Sequence, residues 1–225
     1  MKKYLYILCE GEKDEMFYER FAERVTGMSF MQPHDFRVRH GANFKTAIAT
    51  ARLLLDRVKH WTGQQDVAVI VAVDNDRAPG HPGSAPPART LPKSDQKKGA
   101  RYPALKKMLA DKLGSDPAAW PVDAALAVPV EMIESWLLLL LDPHQTDLPL
   151  YAEASQRTAR DYYGGTPPPQ LKDLRNSSAN QRNVTVEELF LEAADCGDLT
   201  QLAQASPSYA LFQNDLQSWR KAAEA

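Results

Sequence analysis

Short apolar runs alternate with helical patterns over the first 142 residues, and this alternation constrains the fold more than any other feature of the chain. The predicted strands are Tyr4 to Leu8, Asp35 to His40, Val67 to Val73 and Ala124 to Val130. Strands that alternate with helices favour a parallel sheet flanked by helices and joined by right-handed crossovers. The pattern therefore predicts an α/β fold with a parallel sheet of about four strands.

Apolar residues at helical spacing lie between and after these strands. The predicted helices are Glu12 to Val25, Phe44 to Val58, Tyr102 to Leu113, Met132 to Leu141, Glu187 to Ala194 and Tyr209 to Ala223. The strand pattern stops after Pro143. We therefore predict a sheet domain at residues 1–142, with a proline-rich loop at 77–99, and a helical C-terminal extension at 143–225.

The apolar runs are too short for a membrane protein. The longest, Ile133 to Leu141, falls well below the roughly 18 residues of a bilayer span. The N-terminus lacks the long apolar stretch and small-residue cleavage site of a signal peptide. Cys9 and Cys196 lie far apart and form no ligand pattern. These features predict a cytoplasmic protein with reduced thiols and no membrane partner.

Charge is unevenly distributed along the chain. Residues 77–113 carry nine Lys or Arg against two Asp, whereas residues 114–225 carry a net charge of −9. A basic segment suits a polyanionic partner, although a solvated loop and helix face would have the same composition. Lys97, Lys98 and Arg101 are the candidate contacts to backbone phosphates. Nothing in the sequence predicts base-specific recognition.

Acidic turns follow two of the predicted strands: Glu10 after the first, and Asp74-Asn75-Asp76 after the run that ends at Val73. In extended backbone the side chains of Asp74 and Asp76 point the same way. If the two strands are neighbours, Glu10 converges with them. Carboxylate oxygens are the ligands that Mg²⁺ prefers, so the pattern predicts a Mg²⁺ or Mn²⁺ site suited to phosphodiester chemistry. A lone Asp-x-Asp at a strand end is, however, often only a polar turn.

Two segments carry a family resemblance. LCEGEKDEMFYERF at 8–21 and VIVAVDNDRAPG at 69–80 resemble the Glu-Gly and Asp-x-Asp motifs of Toprim domains, in the family's order. The resemblance covers about residues 1–142. It is strongest to OLD-type nucleases and to small Toprim proteins encoded beside ATPases in phage-defence loci. Glu-Ser-Trp-Leu-Leu at 134–138 and SPSYALFQNDL at 206–216 resemble segments that recur in those small proteins.

The resemblance implies a Toprim-like Rossmannoid fold and a metal-dependent nuclease. The catalytic set carried over by position is Glu10, Asp74, Asp76 and Glu134, with Asp14 as an auxiliary carboxylate and further metal ligand. Glu10 would be the acid or base and a ligand, and Glu131 is the alternative to Glu134. The implied partners are a DNA or RNA backbone and an ATPase of the ABC or OLD type, in bacterial antiphage defence.

Two other functions stay open. In the first, the chain is a regulatory subunit that docks an ATPase through its acidic C-terminal segment, Trp136 and Trp219, with catalysis absent or conditional. In the second, it is a nucleotide-sugar transferase, whose Asp-x-Asp also holds a metal; this leaves Glu10-Gly11 unexplained. The sequence does not distinguish DNA from RNA, endonuclease from exonuclease, or a monomer from a homo-oligomer.

Overall fold

The structure, a computed structural model of the chain, describes residues 3–33, 38–39, 44–61, 66–74, 101–129, 133–141, 179 and 182–219. The strands are β1 Lys3–Cys9, β2 Phe30–Met31, β3 Val38–Arg39, β4 Val67–Ala72 and β5 Asp123–Ala127. The helices are α1 Glu12–Thr26, α2 Phe44–Trp61, α3 Arg101–Leu113, α4 Glu134–Leu141, α5 Val186–Cys196, α6 Leu199–Ala205 and α7 Pro207–Gln217.

The described strands form one sheet in which every pairing is parallel, in the order β2–β1–β4–β5. The short β2 and β3 both pair with β1 on the edge away from β4, at Lys3 opposite Phe30 and at Cys9 opposite Arg39. Together they fill one strand position. The predicted α/β class and the predicted sheet of about four strands are therefore confirmed.

Strand β4 is the centre of the sheet, because β1 pairs along one edge and β5 along the other. All six of its residues are buried, and Val69, Ile70 and Val71 have no solvent exposure. A parallel strand that is covered on both faces consists of a continuous apolar run rather than an alternating one. This is why Val-Ala-Val-Ile-Val-Ala occupies the position.

The chain divides into two compact units: Met1–Val73 with Tyr102–Ala127 and Leu211–Ala225, and Asp74–Arg101 with Val128–Ala210. The first unit holds the sheet, and the second holds α4, α5 and α6. None of the four boundaries between the units falls at residue 142. Residues 142–178 lie outside the described part of the chain, so the predicted extension at 143–225 stays a prediction.

Aromatic contacts explain why residues 211–225 belong to the first unit. Tyr18 of α1 meets Phe212 edge-on, with 6.1 Å between ring centroids. Phe30 of β2 meets Trp219 in the same way at 5.8 Å. Edge-to-face pairs of buried rings stabilise a fold beyond the area that they bury, so these contacts fasten the C-terminal part of α7 to the sheet unit.

In the second unit, a buried indole joins α4 to the start of α7. Trp136 is fully buried, its Nε1–H donates to Ser208 Oγ at 2.8 Å, and its ring meets Tyr209 edge-on at 5.3 Å. Ser206 Oγ accepts the Tyr209 backbone N–H at 3.1 Å at the first turn of α7. The segments at 134–138 and 206–216, which resemble Toprim-protein segments, therefore contact each other.

Candidate metal site at the carboxyl edge of the sheet

The ends of β1 and β4 lie side by side. The two strands are parallel neighbours with Leu8 opposite Val71, and the carboxyl ends of parallel neighbours lie at the same sheet edge, where ligands of open α/β sheets bind. β4 ends at Ala72, and the Val73 N–H donates to the Ala127 carbonyl of β5 at 2.8 Å. The two strands that precede the acidic turns are therefore neighbours, as the sequence interpretation requires.

Glu10 is the first residue after β1, and its side chain is exposed. Among the residues that the structure describes, no hydrogen bond or ion pair engages its carboxylate. The Glu10 carboxylate is thus accessible to a cation or a proton donor from solvent.

The turn that carries Glu10 is held by side chains on both sides of it. The buried Cys9 thiol donates to the Gly11 carbonyl at 3.1 Å. Gly11 is the N-cap of α1, and its N–H donates to Asp14 Oδ2 at 2.9 Å. Asp14 therefore caps the helix and satisfies one of the amide groups that a helix N-terminus leaves without an intrahelical partner.

Gly11 has an ordinary backbone angle but lies close to a side chain of the same turn. Its φ is −113°, a value open to other residues. A Cβ at this position would lie 2.8 Å from Asp14 Oδ2, closer than a carbon and an oxygen approach without a bond. The group that a Cβ would displace is the Asp14 carboxylate that accepts the Gly11 N–H.

The other predicted ligands are described only in part. Asp74 lies two residues after the end of β4 and is partly exposed. Asp76 and Glu131 lie outside the described residues. Glu134 is the first residue of α4, but its side chain is likewise outside what the structure describes.

The predicted ligand set lies only partly within the described residues. Within that part of the chain, no group of three or more His, Cys, Asp or Glu residues is arranged to hold a metal ion. Asp76 and the Glu134 side chain lie outside it. The predicted ligand set of Glu10, Asp74, Asp76, Glu134 and Asp14 therefore stays a prediction.

Of the three predicted phosphate contacts, only Arg101 lies within the described residues. Lys97 and Lys98 lie outside the described residues. Arg101 begins α3 and is only 9% exposed. This fraction refers to the whole residue, and the contact of Arg101 with phosphate stays a prediction.

A second carboxylate in the first unit was not predicted. Asp215 of α7 accepts hydrogen bonds from the Tyr102 hydroxyl at 3.1 Å and from the Leu126 N–H of β5 at 3.1 Å. Burial raises the pKa of Asp215, against the lowering effects of these two bonds and of the Lys106 charge. Burial and the nearby Asp215 charge also raise the pKa of Tyr102. One aspartate in an apolar helix gives no sequence signal for this cluster.

A pocket of about 210 Å³ lies beside Asp215, along β5. Its lining residues are Lys106, Leu109, Pro117, Ala118, Trp120, Val122, Asp123, Ala124, Leu126, Asp215, Ser218 and Trp219. Asp123, the first residue of β5, pairs there with Lys3 of β1. Both acids of the pocket are thus already engaged by protein groups, in contrast to Glu10.

The two indoles of the regulatory-subunit hypothesis are inside the protein. Trp136 is fully buried and Trp219 is 6% exposed. Indoles that dock a partner protein contribute by burying exposed area on binding. Neither side chain offers such area, so they support the cores of their own units.

The described helices and strands define an α/β protein with a Rossmann-like, all-parallel sheet. Comparison of the chain with protein-family models, with curated proteins and with solved structures finds no match. The Toprim resemblance therefore rests on the motifs themselves. Among the described helices, none combines the length and the apolar character needed to cross a bilayer.

Proposed function

We propose that this chain is a Mg²⁺-dependent nuclease that cleaves phosphodiester bonds of DNA or RNA, at the carboxyl edge of the β1–β4 pair. Mn²⁺ would serve in place of Mg²⁺. The catalytic residues would be Glu10, Asp74, Asp76 and Glu134. The proposal rests on the two acidic motifs and on the geometry of the strands that carry them.

One observation carries the proposal furthest: the exposed Glu10 carboxylate, which no described residue engages, lies at the edge where β4 also ends. A surface acid without any function can lie anywhere on a protein. This one follows a fully buried strand, next to the central strand that leads through Val73 into Asp74. Ligand sites of open parallel sheets are found at this edge.

The donor set fits a hard divalent cation. Every predicted ligand is a carboxylate, and neither a histidine nor a thiolate is among them, which suits Mg²⁺ better than zinc. When bound, such an ion would polarise the phosphate oxygens and lower the pKa of a coordinated water.

The chain's own residues would divide the remaining work. Asp74 and Asp76 would hold the metal. Glu10 would hold it as well or accept a proton from the attacking water, because its exposed carboxylate is open to both tasks. Lys97 and Lys98 would neutralise the charge of neighbouring backbone phosphates.

We also propose that the nuclease works with an ATPase partner as the effector of a bacterial antiphage system. The support is the resemblance to small Toprim proteins and the contact of Trp136 with Ser208 and Tyr209, which joins two of the resembling segments. The rival function, a regulatory subunit without its own chemistry, loses two of its docking residues because Trp136 and Trp219 are buried.

The test is cleavage by the purified full chain with Mg²⁺ or Mn²⁺, on single- and double-stranded DNA and on RNA, with and without the product of the neighbouring gene. The variants are Glu10→Gln and Asp74→Asn. Glu12→Gln is the matched control, since Glu12 is an exposed acid two residues from Glu10.

We expect metal-dependent cleavage by the wild type and by Glu12→Gln, and loss of about 100-fold or more in the other two variants. Unchanged cleavage by Asp74→Asn would remove the Asp-x-Asp motif from the mechanism. Cleavage absent from the isolated chain, and from its mixture with the neighbouring gene product, would favour the regulatory subunit instead.

A further inference from the structure

Both backbone polar groups of Gly11 are held by side chains of the same short turn. Its N–H donates to Asp14 Oδ2 at 2.9 Å, and its carbonyl accepts the Cys9 thiol at 3.1 Å. Cys9 is 1% exposed and lies opposite Arg39 of β3, so one end of this arrangement is anchored in the sheet. The other end is anchored in the first turn of α1.

Glu10 lies between these two anchors. Its own side chain is exposed and receives no support from a described residue. The direction of its Cα–Cβ bond is set by the backbone of the turn, which is held through Gly11. A ligand that is held in a preformed orientation binds a metal more tightly than a mobile one, because less conformational freedom is lost on binding.

We propose that Asp14 and Cys9 are positioning residues for Glu10, and that Asp14 serves the site through the Gly11 N–H and not as a metal ligand. This inference rests on the proposed function for its metal. It assigns Asp14 a role different from the auxiliary ligand that the Toprim resemblance implies. Supporting groups of this kind commonly change metal affinity about 10- to 100-fold when removed.

The surroundings of Asp14 Oδ2 support this assignment. Its Oδ2 accepts the Gly11 N–H, and a Cβ on Gly11 would be pressed against the same oxygen. The sequence thus keeps a glycine where any larger residue would push the carboxylate away. A rotation of Asp14 that moved Oδ2 away from Gly11 would give up this charge-assisted bond.

The test separates charge from hydrogen bonding with two variants of the full chain. Asp14→Asn keeps an oxygen that accepts the Gly11 N–H but removes the carboxylate charge, whereas Asp14→Ala removes both. Two quantities are measured: Mn²⁺ affinity by electron paramagnetic resonance, and the protection of the Gly11 amide against hydrogen exchange by NMR. Glu10→Gln is the reference for loss of a ligand.

We expect Asp14→Asn to keep Mn²⁺ affinity within about threefold of the wild type and to keep the Gly11 amide protected. Asp14→Ala should lose about tenfold in both quantities. If Asp14→Asn binds Mn²⁺ as weakly as Glu10→Gln while Gly11 stays protected, Asp14 is a ligand and the inference is overturned. Equal Gly11 protection in Asp14→Ala and the wild type would overturn it too.

The thiol is tested in the same way. Cys9→Ser keeps a donor to the Gly11 carbonyl, and Cys9→Ala does not. We expect a smaller loss of Mn²⁺ affinity in Cys9→Ala than in Asp14→Ala, because a thiol is a weak donor, with recovery in Cys9→Ser. Equal affinities in Cys9→Ala and the wild type would overturn the role of Cys9.

Failure of the proposed function would be visible separately. A wild-type chain that binds no Mn²⁺ would overturn the metal site. The role of the hydrogen bond from the Gly11 N–H to Asp14 would then be tested by hydrogen exchange alone. Faster exchange in Asp14→Ala with unchanged exchange in Asp14→Asn supports this role. Identical exchange in all three proteins overturns it.

Discussion

The first unit contains two carboxylates in opposite situations. Glu10 is exposed, and no described residue engages it. Asp215 is partly buried and accepts bonds from the Tyr102 hydroxyl and the Leu126 N–H. Glu10 directly follows β1, whereas Asp215 lies on α7 and is hydrogen-bonded to β5 of the same sheet.

The difference between these two acids indicates which of them is available to bind a ligand. Buried polar groups in native proteins are nearly always satisfied by protein partners, and their removal costs stability. Glu10, which no described residue engages, lies at the edge where ligands of parallel sheets bind. Replacing an exposed side chain usually changes stability little. We therefore infer that Asp215 serves the fold and Glu10 serves the ligand.

The largest expected effect is on activity. Glu10→Gln should lower metal-dependent cleavage about 100-fold or more, while Asp215→Asn should leave it within about threefold. Initial rates at saturating Mn²⁺ and thermal melting curves are measured for both variants. A loss of cleavage in Asp215→Asn equal to that in Glu10→Gln, with an unchanged melting temperature, would show that Asp215 also serves the reaction.

The reverse effect is expected in stability. Asp215→Ala should lower the free energy of unfolding by about 2 kcal/mol, because it leaves the Tyr102 hydroxyl and the Leu126 N–H without their acceptor. Glu10→Ala, as an exposed substitution, should change it by less than about 0.5 kcal/mol. Urea unfolding measures both values. Equal destabilisation by the two variants would show that Glu10 is also structural.

A buried hydrogen bond of the second unit tests whether satisfied polar groups also contribute to stability there. Trp136→Phe keeps a ring but loses the donor to Ser208 Oγ, and Ser208→Ala loses the acceptor. Each should cost about 1 kcal/mol, and the double variant should cost less than the sum because the bond is shared. Strict additivity in urea unfolding would mean that this hydrogen bond contributes nothing.

The smallest expected effect is on pH dependence. Burial raises the pKa of Asp215 above its ordinary value of 3.8, so above pH 3.8 the folded state binds more protons than the unfolded state. The free energy of unfolding therefore falls as the pH rises through the window between the two pKa values. Asp215→Asn removes this contribution, so its free energy of unfolding should change less with pH over the same window. A steeper profile in Asp215→Asn would mean that the pKa is lowered instead.

Sequence patterns predicted the elements whose order is set by long periodic runs. The strand at residues 67–73 was predicted from its unbroken apolar run and is observed as β4 Val67–Ala72. The two-residue β2 was missed, because Phe30–Met31 becomes a strand only by pairing with β1. The seven-residue α6 was also missed, although Asp198, whose side chain caps it, was a usable signal.

The same contrast applies to the site. Glu10 could be predicted because an acid directly after an apolar strand stands out in the sequence. Asp215 could not, because its partner Tyr102 is 113 residues away and no local pattern relates them. The capping role of Asp14 lay between these cases: an acid at the third helix position is a known cap signal, but its bond to Gly11 required the structure.

The measurement that tests the central claim most directly is a calorimetric titration of Mn²⁺ into the full chain and its Glu10→Gln and Asp215→Asn variants. We expect saturable binding by the wild type and by Asp215→Asn, and affinity at least about tenfold weaker in Glu10→Gln. Binding of Mn²⁺ by Glu10→Gln with the affinity of the wild type would contradict it.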